Sequence, residues 1–224
     1  MPRIARVVGI GLAHHITQRG NYRNAIFKSD KDRVKYLSLL KEYSEKYKLS
    51  ILCYCLMTNH IHLIVIPENE YSMAKVLNLV QMKYSQYFNN KMKQRGHLWQ
   101  DRYYSCILDG NHLIAAAKYV ERNPVRAKLI KKPWEWKWSS ALSNIGEEEP
   151  LFNAKKLFEC IDMKENEWKR ILEIEDGLNF IQDIRKYTIA GRPLAVKDFI
   201  QSLEKRLKRK LTLLPRGRPK IKVK

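Results

Sequence analysis

Residues 31–47 repeat apolar side chains at helical intervals. Val34, Leu37, Leu40, Tyr43 and Tyr47 form one stripe, and Ser29 or Asp30 is placed to cap its start. A second stripe over residues 72–92 carries Met73, Val76, Leu77, Val80, Tyr84, Tyr87 and Phe88. Between the two stripes, LSILCYCLM and HIHLIVIP are β-prone runs that meet at Thr58-Asn59, the pattern of a hairpin. Two shorter β-prone runs complete the set: LAHHITQ at 12–18, ahead of the turn-prone Arg19-Gly20-Asn21, and RYYSCIL at 102–108. A third helix is predicted from about Asn111 to Arg122, because Pro124 disfavours helical geometry at the residue before it. The order strand, helix, strand, strand, helix, strand predicts an α+β, ferredoxin-like split βαββαβ fold. Two helices would cover one antiparallel sheet, with the third helix as an addition.

Beyond Trp138-Ser139-Ser140 the composition changes, and Glu147-Glu148-Glu149-Pro150 reads as a linker or turn. This divides the chain into a main domain at 1–146 and a helical accessory region at 147–224. Two short helices are expected within 153–175, around Leu157, Phe158 and Ile161 and around Trp168, Ile171 and Leu172. A further helix from about Ala195 aligns Phe199, Leu203 and Leu207. Residues 205–224 hold ten Lys or Arg and no acid, and predict an extended, disordered basic arm. Its Gly217-Arg218-Pro219-Lys220 is similar to the Gly-Arg-Pro core of a minor-groove AT-hook, and the tripeptide recurs at Gly191-Arg192-Pro193.

Charge narrows the class of partner. A formal net charge of +20 implies a polyanion, nucleic acid ahead of an anionic membrane surface. No apolar stretch approaches the roughly 20 residues that span a bilayer, and the N-terminus shows no secretion signal. Cys53, Cys55, Cys106 and Cys160 lack CxxC spacing, which suits reduced packing cysteines in a cytoplasmic protein.

The candidate chemistry begins at His60-Ile61-His62. Side chains two apart on a strand share a face, so the two imidazoles make half of a metal site on a rigid support. Two imidazoles leave a divalent ion short of ligands. On the third helix, Tyr119 and Asn123 are four residues apart and share a face. Asn123 can supply an amide oxygen while Tyr119 points to the same place. A phenol titrates near 10 and is a poor nucleophile at neutral pH. A metal on a phosphate oxygen makes the electrophile more reactive instead. Attack then yields a phosphotyrosine and frees a 3′-hydroxyl. The same histidines also suit a small-molecule metallohydrolase, although no carboxylate or third histidine lies in local register.

Five ordered blocks go further. Leu56-Met57-Thr58-Asn59-His60-Ile61-His62-Leu63 resembles the LMxNHxHL signature of the REP-associated tyrosine transposases, within the single-tyrosine HUH transposase superfamily. His15-Ile16-Thr17-Gln18-Arg19-Gly20-Asn21 is similar to that family's HVxxRGN, and the stretch from Arg95 to Tyr103 to its RxGxLWQxRY. Tyr119 to Ala127 is similar to YIxxNPVRA, and Trp138-Ser139-Ser140 to WSS. The blocks cover about residues 3–145. His14 departs from the family, which usually carries an aromatic there.

The resemblance implies an HUH nuclease fold and dependence on Mg2+ or Mn2+. It also implies single-stranded DNA cleavage near a hairpin through a 5′-phosphotyrosine. By position, Tyr119 matches the nucleophile and His60 and His62 the metal ligands. Asn123 matches the third-ligand position, where related transposases often carry Gln. Some relatives in the superfamily pair Tyr and His in trans across a dimer, whereas this chain could complete its site in cis, so a monomer or a homodimer is expected. DNA contacts are expected from Arg19, Asn21, Arg23, Arg95, His97, Trp99, Arg102, Arg122, Arg126, Arg216 and Arg218, since arginine forks suit phosphates and guanine edges. His97, Trp99, Tyr103 and Tyr104 are candidates to stack on unpaired bases, with Trp99 equally suited to the core. The rival reading from another class is a DNA binder that keeps this fold without catalysis.

Overall fold

The computed structural model describes residues 6–148, 151–152 and 155–212. Strands β1 (His14–Arg19), β2 (Leu49–Leu56), β3 (His60–Pro67) and β4 (Tyr104–Ile107) form one sheet in the order β2-β3-β1-β4, with every neighbouring pair antiparallel. Helices α1 (Asp30–Lys46) and α2 (Ser72–Met92) are the two crossovers, and α3 (Gly110–Glu121) follows β4. This is the α+β split βαββαβ arrangement that the hydrophobic pattern predicts. Short helical turns α4 (Asn123–Arg126) and α5 (Ala141–Asn144) come next. The C-terminal part adds α6 (Lys155–Ile161), α7 (Glu165–Glu173), α8 (Leu178–Ala190) and α9 (Lys197–Leu207). Among the described residues, no helix is long and apolar enough to cross a membrane.

Alternation along the strands sends two sets of side chains to two cores. Ile16, Ile61, Leu63 and Val65 face α1 and α2 and pack with Tyr36, Leu40, Val80 and Tyr84. Cys53, Cys55, Ile64 and Cys106 face the other way, against Ala116, Ala117 and Val120 of α3 and Trp168, Leu172 and Ile184 of α7 and α8. The third helix is therefore one member of a second helical layer. Ser29 and Asp32 form a capping box at the start of α1, which fixes its entry as the sequence anticipates.

Helix α8 is the element that the sequence pattern did not reveal. It packs along β4 and β1 and ends at Gly191, whose φ of 63° is the left-handed conformation of a helix stop. The Gly191-Arg192-Pro193 tripeptide is thus a structural turn: the Arg192 guanidinium donates to the Lys210 carbonyl, and the Leu194 amide bonds back to Ile107. The second copy of the tripeptide, at Gly217-Arg218-Pro219, lies outside the described residues, as does most of the expected basic arm.

One buried carboxylate joins the second layer together. Glu121, at the end of α3, is 0% exposed. Its Oε1 accepts from Ser140 Oγ at 2.5 Å and Asn144 Nδ2 at 2.6 Å, and its Oε2 accepts from Trp168 Nε1 at 2.8 Å. Ser140 also binds both backbone groups of Tyr54, and the Leu56 amide bonds to the Trp138 carbonyl, so the Trp138-Ser139-Ser140 block seals the edge of β2. Glu121→Ala would take the carboxylate acceptor from three buried donors, leaving Ser140 and Asn144 only their weaker contacts to the Tyr54 carbonyl and Cys53 and the Trp168 indole N–H none. Its expected cost is about 4 kcal/mol, read as a lower urea midpoint, against about 2 kcal/mol for Trp168→Phe, which removes one donor. Equal midpoints for wild type and Glu121→Ala would contradict the assignment.

Candidate active site

The face of the sheet turned towards α3 and α8 carries the histidines. In the β1–β3 register His62 stands opposite Thr17 and His60 opposite Arg19, so all four lie on one face together with His15. A cleft of about 610 Å3 opens there. Its lining includes His15, Arg19, His60, His62, Arg102, Tyr119, Asn123, Arg126, Arg185 and Thr188. The sequence placed His60, His62, Tyr119 and Asn123 at one site, and all four line this cleft.

Tyr119 is 2% exposed and held on every side. Its ring meets His62 edge-on at 5.6 Å and His15 at 5.9 Å between centroids. The Arg126 guanidinium lies over the ring at 4.0 Å and also donates to the Tyr119 carbonyl. Arg185 Nε donates to the phenol oxygen at 3.5 Å, a cation set beside the atom on which negative charge would build. Asp176, 3% exposed as a side chain, fixes Arg126 at 2.6 Å and Arg122 at 3.3 Å.

The histidines are neutral by environment. Burial pulls His60 down to about 4, with Arg19 and Arg185 adding to it. Burial likewise lowers His62 well below its ordinary value, reinforced by His60, His15 and Arg126. His15 is lowered to about 3, by burial and then by Arg126. A neutral imidazole keeps a lone pair for a metal.

The hydrogen bonds direct those lone pairs. His60 Nδ1 lies 2.7 Å from Asn59 Oδ1, which can only accept, so His60 carries its proton on Nδ1 and Nε2 is left bare. His62 Nδ1 lies 2.9 Å from His15 Nε2, which leaves His62 Nε2 without a protein partner. Asn123 is buried, and its Nδ2 is unpartnered. With its carboxamide turned by 180° about the Cβ–Cγ bond, it would present Oδ1 at that position instead. No group of three or more His, Cys, Asp or Glu forms a metal-binding cluster among the described residues. The available donor set is therefore two imidazole nitrogens and an amide oxygen, with the remaining positions left to water or substrate oxygen. The imidazole nitrogens suit a transition-metal dication, and the amide oxygen with the open positions admits an oxygen-seeking one such as Mn2+ or Mg2+.

The remaining expected contacts divide by location. Arg19 and Arg102 are exposed and line the cleft, with Arg126 deeper in it. Arg23, Arg95 and His97 are exposed outside the cleft lining, and Asn21 is half-buried with its Oδ1 accepting from the Tyr22 amide. Trp99 sits in an aromatic cluster with Tyr36 and Tyr84, and its Nε1 donates to the Gln81 carbonyl, so it packs against the core. Tyr103 is buried beneath Arg6, whereas Tyr104 reaches the cleft. Arg122 is a correction: its side chain is buried, pairs with Asp176 and donates to the Leu172 carbonyl, so it holds α3 to α7. Arg216 and Arg218 lie outside the described residues. Sequence reasoning missed Arg185 and Thr188, because the helix that carries them went unrecognised. It also gave no role to His15, although that residue opens the first motif block.

Depressed histidines make stability depend on acid. Between pH 6.5 and about 4 the unfolded chain binds protons at His14, His15, His60 and His62 that the folded chain refuses, so stability falls as pH falls through that window. The urea midpoint should decline between pH 7 and 4.5. The decline should be shallower in His14→Gln, because burial lowers His14 as well and its ring nitrogens are taken by Gly9 and Leu12. A flat midpoint across the window would contradict it.

Comparison with known proteins gives three results. The sequence model of the IS200-like transposases matches residues 10–123. A curated protein from Haemophilus influenzae, named for the REP-associated tyrosine transposases, is 25% identical over 117 residues, which is 47% of this chain. The match spans 66% of that relative, just under two thirds of its length. A solved structure of a REP-associated tyrosine transposase bound to a REP hairpin aligns with a TM-score of 0.53 at 15% identity, over 68% of this chain and 90% of that one. At that identity the likeness speaks for the fold.

Proposed function

The chain belongs to the IS200-like transposase family, and we propose that it cuts and rejoins single-stranded DNA at hairpin-associated sites through a 5′-phosphotyrosine on Tyr119. The observation that carries this reading is the convergence in one basic cleft of a held phenol and two neutral histidines whose Nδ1 atoms are engaged elsewhere. Hairpin DNA as substrate is taken from the relative solved with a REP hairpin.

The chain's own groups divide the work. Arg19 and Arg102 at the rim and Arg126 within supply the positive field that draws a phosphate backbone into the cleft. The Tyr119 oxygen forms a bond to phosphorus while the bond from phosphorus to the 3′ oxygen breaks. The phenol proton is given up, and the released strand end takes a proton to become a 3′-hydroxyl. Arg185 donates to the phenol oxygen and orients it before attack. His60, His62 and Asn123 would hold Mg2+ or Mn2+, which when bound neutralises charge developing on a phosphate oxygen. Because the phosphotyrosine retains the energy of a phosphodiester, a second 3′-hydroxyl can reverse the step and join a new strand.

Single-stranded hairpin DNAs from the neighbouring genome, incubated with Mn2+ or with EDTA and run on a denaturing gel, test the proposal. A covalent protein–DNA band that needs Mn2+ and disappears in Tyr119→Phe is expected, with hairpin binding retained by the mutant. Equal cleavage by Tyr119→Phe would reject the nucleophile, and tight binding without cleavage on every substrate would favour a DNA binder. His60→Ala should lose the metal-dependent cleavage. Arg185→Ala should slow cleavage about 100-fold while binding the hairpin nearly as well, in line with loss of one charge-stabilising donor. An unchanged rate would remove Arg185 from the chemistry.

A further inference from the structure

The His62 side chain ends a chain of buried hydrogen bonds that begins in the C-terminal part of the protein. Cys106 Sγ on β4 lies 3.2 Å from Thr188 Oγ1 on α8. Thr188 Oγ1 lies 2.8 Å from His15 Nδ1, and His15 Nε2 lies 2.9 Å from His62 Nδ1. The two imidazoles stack with planes 12° apart, and Thr188 is 1% exposed. At such buried positions each proton in the chain lies between two neighbouring polar atoms.

Such a chain has two arrangements. In one, His62 donates from Nδ1 to His15, His15 donates from Nδ1 to Thr188, and the Thr188 hydroxyl turns to Cys106. His62 Nε2 is then a bare lone pair facing the cleft. In the other, every proton points the opposite way and His62 carries its proton on Nε2, where it blocks a metal. The first arrangement needs an acceptor at position 188, and the Thr188 hydroxyl supplies it, accepting from His15 Nδ1 while turning its own proton to Cys106. We propose that Thr188 is a positioning residue that sets the tautomer of His62 through His15, so that α8 makes the metal site competent.

The direction of the effect follows from the geometry. A valine at 188 keeps the shape but cannot accept from His15 Nδ1. A buried N–H without a partner is costly, so His15 would move its proton to Nε2 and donate to His62. His62 then holds its own proton on Nε2. Serine restores the acceptor. Partners of this kind behind a ligating histidine are worth about 10- to 100-fold in metal affinity.

The inference rests on the metal reading of His60 and His62, and the experiment separates the two. Free Mn2+ is measured by electron paramagnetic resonance in titrations of the full chain without DNA. Wild type, Thr188→Ser, Thr188→Val and His62→Ala are compared. Wild type and Thr188→Ser should bind alike, Thr188→Val about 10- to 100-fold more weakly, and His62→Ala not measurably. If His62→Ala binds as wild type does, the metal reading fails. If His62→Ala loses Mn2+ while Thr188→Val keeps wild-type affinity, only the relay fails. A second measurement does not depend on any variant folding. Nitrogen-15 spectra of histidine-labelled wild type saturated with Mg2+ should show His15 protonated at Nδ1 and bare at Nε2. A proton on His15 Nε2 in that state would overturn the relay.

Discussion

A carboxylate with no exposure to water is tolerated only when its oxygens are fully engaged. Burial pushes the Glu121 carboxyl up, and the donors from Ser140, Trp168 and Asn144 pull against that shift. Those donors come from the segment that seals β2, from α5 and from α7. Any movement of the end of α3 would strip hydrogen bonds from a buried charge, so that end has one permitted position. Tyr119 lies two residues earlier on the same helix and inherits the constraint. The phenol is therefore held by a carboxylate that takes no part in the cleft.

Asp176 supplies a second tether of the same kind from the other side. By pairing with Arg122 and Arg126 it spends one guanidinium on structure and aims the other across the Tyr119 ring. Asp176 and one of the three Glu121 donors, Trp168, lie beyond residue 150, so the C-terminal part acts on the site through buried polar contacts as well as through apolar packing. Beneath them, strand alternation alone explains why His15, Thr17, Arg19, His60 and His62 share a face and why Ile16, Ile61 and Leu63 do not.

The sheet and its first three helices were legible because each obeys a single period. Apolar residues recur at 3.6 along α1 and α2, the hairpin reads at Thr58-Asn59, and Pro124 marks where α3 must stop. His60 and His62 were legible because spacing on a strand fixes which side chains share a face, whereas Asn123 opens α4 beyond the end of α3 and joins Tyr119 in the cleft without sharing its helix. Helix α8 was not, because only Ile184 and Thr188 on it are buried and its apolar residues form no clean stripe. Arg185 and Thr188 went unseen with it. Arg122 was misread because a motif arginine beside a nucleophile looks the same in sequence whether it faces DNA or an aspartate 54 residues away.

His15 and Thr188 touch across 173 positions of sequence. A ribosome therefore completes the sheet, both histidines of β3 and Tyr119 long before it delivers the groups that address the phenol oxygen and the innermost histidine. Chains cut short by a frameshift or a stop codon before residue 185 carry His15, His60, His62 and Tyr119 and lack the Arg185 and Thr188 contacts that the complete cleft contains.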